Sequence, residues 1–256
     1  MNPAVRCARP PPQHRRTAAP PGLTVAARYR DAVTSPARTP PSALPPTPRW
    51  ALVPAALAPV GMIGGWTLAA ALAPGFDPAR ETISALATAR VEHPGVMTAG
   101  LVLTGLAHVG TAVGLRPAAP LGRVLLAVGG FGALAVAAFP ADVAEDRHGL
   151  AAAIAFAALS VWPLGAWRRA GAGATRRPGG RPAVLAPATS VVAALALLAL
   201  LAWFDTGVPQ VDGESLTGLS ERAVAGAQAL WPLVVVLGTV RPRSARTPRL
   251  GGTSGT

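Results

Sequence analysis

Six long apolar stretches dominate this chain and leave few folds open to it. They run roughly from Leu52 to Ala73, Val96 to Leu115, Leu121 to Phe139, Gly149 to Trp167, Ala183 to Phe204 and Leu219 to Val240. Each is close to the ~20 residues that cross a ~30 Å hydrocarbon layer at 1.5 Å per residue. An isolated strand in lipid would leave its backbone groups unpaired, so each stretch is predicted to be a helix. The expected fold is all-α: a polytopic membrane protein whose residues 50–240 form a bundle of six transmembrane helices. Residues 1–49 carry twelve prolines and eight arginines with almost no large apolar side chains. That segment cannot bury enough surface to offset its ordering entropy, and it is expected to be a disordered tail, as are residues 241–256. The third stretch is the least regular, because Arg123 lies just inside it and is expected to snorkel to the interface.

The signs of the loop charges test this division independently. All 23 basic residues are arginine, against 11 acids, for a net charge of +12. With six spans both termini share a side, and that side collects 19 arginines and a single acid, Asp31. The opposite side holds 4 arginines and 10 acids. The positive-inside rule then predicts a multi-pass protein of the inner (plasma) membrane with both termini cytoplasmic. The arginines stand where topology wants them, without stacking aromatics or a recognition motif, which argues against a nucleic-acid partner. The expected partner is the lipid bilayer, with anionic lipid at the cytoplasmic tails. Cys7 is the only cysteine, which rules out an internal disulfide or a thiolate cluster. The first apolar stretch is too long for the core of a cleavable signal and is read as an anchor.

Packing is written in small residues. Gly61, Gly65 and Ala69 form a small-xxx-small stripe, the third stretch has Gly129, Gly130 and Gly132, and the fourth is alanine-rich from Ala151 to Ala158. Pro163 and Pro232 are expected to kink their helices. No internal repeat is visible, so an inverted-repeat transporter core has no support.

Polar content concentrates in the loops opposite the termini. Asp77 is placed to cap a short helix with Pro78 at its first position and with Ile83 and Leu86 on one side. Asp142, Glu145, Asp146, Arg147 and His148 follow in the second loop, and Asp205, Asp212, Glu214, Glu221 and Arg222 in the third. The order of Pro74-Gly75-Phe76-Asp77-Pro78, Thr82-Ile83-Ser84-Ala85-Leu86, Phe139-Pro140 and His148-Gly149-Leu150-Ala151 resembles the domain-of-unknown-function 998 family. The later Gly218-Leu219-Ser220-Glu221-Arg222 and Trp231 are similar to that family's last span. The resemblance covers roughly residues 50 to 240. It implies a prokaryotic integral membrane protein of about six spans, and it supplies no catalytic assignment.

The residues themselves suggest a site at the outer mouth of the bundle. Asp77, Glu81, Ser84 and His148 are the catalytic candidates, and Arg80, Arg222 and His108 the binding candidates. His148 is suited to act as a general base, or with the carboxylates as a metal ligand. The competing reading is an ion-pair and capping network that closes the helix ends, with Arg80, Arg147 and Arg222 seeking carboxylate partners. His108, inside the second stretch, shares a face with Thr104, Thr111 and Gly100. Its expected state is a neutral imidazole hydrogen-bonded between helices, with a proton relay as the functional alternative, and Gln228 is read in the same structural way. His108 and His148 cannot be the two axial ligands of one haem, since His108 lies ~18 Å below the level of His148, and no haem is expected. No cofactor and no metal site is expected. The leading functional reading is a binding, small-solute-permeation or membrane-organising protein with a polar outer vestibule. The alternative is a membrane-embedded hydrolase, with or without a metal, acting on lipid at the outer face.

Overall fold

A computed structural model describes residues 46–167, 183–206, 210–211 and 214–240. Residues 1–45 and 241–256 of the expected tails, the loop from Arg168 to Pro182 and Asp212 lie outside the described residues, whereas Thr47 of the first tail is buried and donates to Thr239 Oγ1 at 2.7 Å, and Arg49 begins the first helix. Six helices are long and apolar enough to cross a membrane: α1 (Arg49–Ala71), α2 (Pro94–Gly114), α3 (Pro120–Ala138), α4 (Glu145–Ala166), α5 (Pro187–Thr206) and α6 (Thr217–Thr239). They correspond one to one with the six apolar stretches. Proline sets three of the starts, standing first in α2, α3 and α5, where its missing N–H costs nothing. Two two-residue strands, Gln210–Val211 and Glu214–Ser215, pair antiparallel between α5 and α6.

Consecutive helices pack side by side, and α6 returns to lie against α1 while also touching α2 and α4. The chain is turned inside out relative to a water-soluble protein. Large aliphatic and aromatic side chains such as Val53, Leu106, Phe131, Val192 and Leu195 point outward, where lipid accepts them. The interior is built largely from alanine, glycine and a few polar groups.

The glycine stripes do what their spacing predicts. A Cβ on Gly61 would fall 2.8 Å from the Gly100 carbonyl oxygen, and one on Gly65 would fall 3.1 Å from the Gly100 Cα. Gly130 meets the Gly105 carbonyl in the same way, and Gly132 meets the backbone of Ala155. Thus α1–α2, α2–α3 and α3–α4 each close onto backbone. Pro163 and Pro232 lie inside helices that continue past them. The clearer irregularity follows Pro59: this residue gives no N–H to the ladder, and the next turn widens to a π-helix over Val60–Gly64.

Arg123 reaches the end of the neighbouring helix: its Nε donates to the Ala112 carbonyl at 2.7 Å and its Nη2 to the Val113 carbonyl at 3.1 Å. The cation caps carbonyls that α2 leaves unpaired at its C-terminus, a better partner than lipid.

A Cβ on Gly100 would sit 2.6 Å from the Gly61 carbonyl oxygen, whereas one on Gly64 would meet nothing. Gly100→Ala is therefore expected to lower stability by about 1–3 kcal/mol through overpacking. Gly64→Ala is expected to be near neutral. Thermal unfolding of the two variants in the same detergent checks the difference.

Candidate functional site

At the end of the bundle opposite Arg49 and Thr239, the loop between α1 and α2 folds back over the helices. Gly75, with φ +79°, makes the first bend. Asp77 then organises its own turn: its Oδ1 accepts the Ala79 N–H at 2.9 Å, and its carbonyl accepts the Glu81 N–H at 2.8 Å. Glu81 Oε1 accepts the Asp77 N–H in return at 2.8 Å, and Arg80 Nη1 pairs with Asp77 Oδ2 at 2.7 Å. The hydrogen bond from Arg80 and that from the Ala79 N–H hold the Asp77 carboxyl below the usual carboxylate range. The Arg80–Asp77 ion pair is exposed, which makes it weak.

The single short helix expected over this stretch is broken into that turn and a 3-10 helix, Ser84–Ala87. Side chains take the backbone donors that a continuous helix needs. Glu221 Oε2, from the first turns of α6, accepts the Ile83 N–H at 2.6 Å, and Thr82 Oγ1 accepts the Ala85 N–H at 3.3 Å. Ile83 and Leu86 both turn into the core, as their spacing predicts.

The start of α6 clamps this loop from the other side. Gly218 packs directly on the Glu81 and Pro78 carbonyl oxygens, and the Leu219 N–H donates to the Ala79 carbonyl at 2.9 Å. Arg222 Nη1 donates to the Glu81 and Gly218 carbonyls at 2.8 and 2.9 Å, and its guanidinium lies 5.5 Å from the Phe76 ring centroid. Arg147 lies 5.8 Å from the Phe139 ring centroid. Of the three arginines, Arg80 has a carboxylate at ion-pair distance among the described residues, and Arg222 has the Glu221, Asp77 and Glu81 carboxylates near enough to act on its charge. Arg147 and Arg222 rest on aromatic rings, and Arg222 also binds carbonyls, acceptors that the turns present at the right distance.

Of the residues proposed to converge, Ser84 and His148 meet directly. His148, in the first turn of α4, places Nδ1 2.8 Å from the Phe139 carbonyl oxygen and Nε2 2.9 Å from Ser84 Oγ. A carbonyl only accepts, so Nδ1 carries the proton. In the neutral ring Nε2 then accepts from the Ser84 hydroxyl. Asp77, Arg80 and Glu81 form their separate knot, and Arg222 joins it through the Glu81 carbonyl. Among the described residues no group of three or more His, Cys, Asp or Glu side chains is arranged to hold a metal ion.

Behind Ser84 lies a cavity of about 50 Å³ between the helices, reaching Glu221, Gln228 and His108. That is room for on the order of three or four waters at ~10–15 Å³ each. Most of its wall is apolar, with Met62, Leu101, Val136, Phe156 and Leu159 among its residues. Gln228 behaves as its reading requires, donating to the Phe156 carbonyl at 3.0 Å and to Ser160 Oγ at 2.9 Å. His108 does not. It is completely buried, and neither ring nitrogen has a hydrogen-bond partner within the protein. The interhelical hydrogen bond expected for it is overturned. Its neighbours on the same face are already engaged, Thr104 with the Gly100 carbonyl at 2.8 Å and Thr111 with the Ala107 carbonyl at 2.8 Å.

Residues 56–238 match the family model described as a protein of unknown function (DUF998), and the chain belongs to that family. No curated protein and no solved structure matches it.

Glu221→Ala leaves the Ile83 N–H without its acceptor and releases the loop from α6. The expected cost is about 1–3 kcal/mol, with faster amide exchange over residues 82–88; Glu221→Gln, which keeps an acceptor oxygen, loses less. The depressed Asp77 carboxyl stabilises the loop at any pH above the ordinary Asp range and loses that contribution only as pH falls through its lowered midpoint. An NMR titration of Asp77 is expected to give a midpoint below that of an unfolded peptide.

Proposed function

We propose that this member of the family is a membrane-integral binding protein. In this reading it takes a small, mainly apolar molecule with a hydrogen-bonding tip into the bundle from the end where the acids lie. The observation that carries the reading is His108, buried on the cavity wall with both ring nitrogens unmatched. An unpaired buried polar group costs about 1–3 kcal/mol, and a bound molecule offering a donor and an acceptor would offset it. The apolar wall suits the body of such a molecule.

Binding is better supported than permeation. The half of the bundle nearer Arg49 and Thr239 is filled by an apolar cluster around Leu115, Leu126, Trp162, Val235 and Val236, all essentially inaccessible. The threonines there, Thr111 and Thr239, spend their hydroxyls on carbonyls of their own helices. A cavity backed by such a plug is a pocket, not a path. The arginine asymmetry favours an orientation in which the pocket faces outside the cytoplasm and the arginine-rich tails meet anionic lipid.

His108→Leu separates a binding role from a structural one by the sign of its effect. Replacing an unsatisfied imidazole by an apolar side chain is expected to raise the stability of the empty protein by about 0.5–2 kcal/mol and to remove any compound that co-purifies with the wild type. Thermal unfolding and native mass spectrometry read the two effects. Destabilisation, or an unchanged bound compound, would count against the pocket.

A further inference from the structure

We propose that Ser84 and His148 are a nucleophile–base pair for acyl transfer, acting on an ester or thioester whose small acyl group lies in the cavity. The proposal rests on the binding reading only for the place of the acyl group. The pair itself stands on its own geometry.

Three features support it. First, the hydrogen bonds are polarised in the direction that activation of serine needs. Phe139 fixes the proton on Nδ1, so Nε2 presents its lone pair to Ser84 Oγ at 2.9 Å. The backbone carbonyl occupies the place of the third, orienting group, and it stabilises the imidazolium formed when Nε2 takes a proton. Second, both partners are held from outside the pair. Ser84 follows Ile83, whose N–H is fixed by Glu221, and Asp142 Oδ2 accepts the Ala89 N–H at 2.8 Å, tying the loop that carries Ser84 to the loop that follows Phe139. Third, Ser84 is itself part of the cavity wall, so an acyl group lodged in the cavity would lie beside it.

The chemistry balances without an added oxidant, reductant or metal. Ser84 Oγ attacks the acyl carbon as its proton passes to His148 Nε2. The bond from the acyl carbon to the leaving oxygen or sulfur breaks, and that atom departs with the proton from Nε2. Water then attacks the acyl-serine, gives its proton to Nε2, and Ser84 recovers a proton as the acid leaves. The sum is ester plus water giving acid plus alcohol, or thiol from a thioester.

The test needs no knowledge of the natural substrate. A fluorophosphonate probe forms an Oγ–P bond with an activated serine and expels fluoride, while ordinary serines are left untouched. The full-length, folded protein in detergent is expected to gain one adduct, mapped by peptide mass spectrometry to Ser84. Ser84→Ala is expected to abolish the adduct, and His148→Asn, which keeps a side-chain amide in place of the base, to slow its formation at least a hundredfold. Absence of adduct on the folded wild type, an adduct on another residue, or labelling of His148→Asn at the wild-type rate would overturn the proposal. The adduct reports the pair alone, and the compound that co-purifies reports the pocket, so either reading can fail without the other.

Discussion

Lipid tails are as apolar as leucine, so helices in a bilayer gain little by hiding leucine from them. They associate through close van der Waals contact, and close contact requires small side chains. That requirement sets the spacing at Gly61–Gly100, Gly105–Gly130 and Gly132–Ala155, and it sends the large side chains outward. It also decides where empty space is left. Towards the end that holds Arg49 and Thr239, Trp162, Leu115 and Leu126 fill the interior between the helices. Towards the acidic end four alanines, Ala133, Ala152, Ala155 and Ala225, stand in the cavity wall among the larger Met62, Leu101 and Phe156, and they leave volume between the helices unfilled. The pocket is a consequence of how this half of the bundle packs.

The loop above the pocket is positioned by α6. Two consecutive residues of that helix grip the same short segment in opposite senses: Glu221 accepts a backbone N–H from Ile83, and Arg222 donates to the backbone carbonyl of Glu81. Each side chain thus meets the complementary end of a backbone group, which satisfies groups that would otherwise be costly to bury. Ser84 is the next residue after Ile83, so its location is a property of α6 as much as of its own loop. The pairing of Ser84 with His148 depends on a third helix brought in by the α3–α4 contact.

The spans were legible because lipid imposes one simple demand on length and polarity, and the glycine contacts because helical spacing alone places Gly61 and Gly65 on one face. The turn at Asp77 was legible in part, since the residues that cap it are neighbours in sequence. Ser84 and His148 could be nominated, yet nothing local reveals their contact: they are 64 residues apart and meet only once α4, α6 and the loop are assembled. The 3-10 break in the loop was hidden for the same reason, because the acceptor that diverts the Ile83 N–H comes from 138 residues away. The role of Arg123 turned on the reach of a long side chain to carbonyls ten and eleven residues earlier.

His108 and Gln228 make the sharpest comparison, since the same physical rule applies to both and they end differently. Each is a polar side chain inside a span, where hydrogen-bonding capacity must be met by protein. The amide of Gln228 reaches across to α4 and finds a carbonyl and a hydroxyl. The imidazole of His108 is flanked by threonines whose hydroxyls are already given to backbone carbonyls, and it faces a cavity whose wall offers mostly methyl and methylene groups. Buried polar atoms without partners also occur on Trp162, Trp231 and Arg222, but His108 has both ring nitrogens unmatched and lines the cavity. A sequence selected for stability alone would readily replace such a residue with leucine. Its presence there fits a position kept for what enters the pocket, because the energy it forgoes in the empty protein is recovered only when another molecule supplies the missing hydrogen bonds.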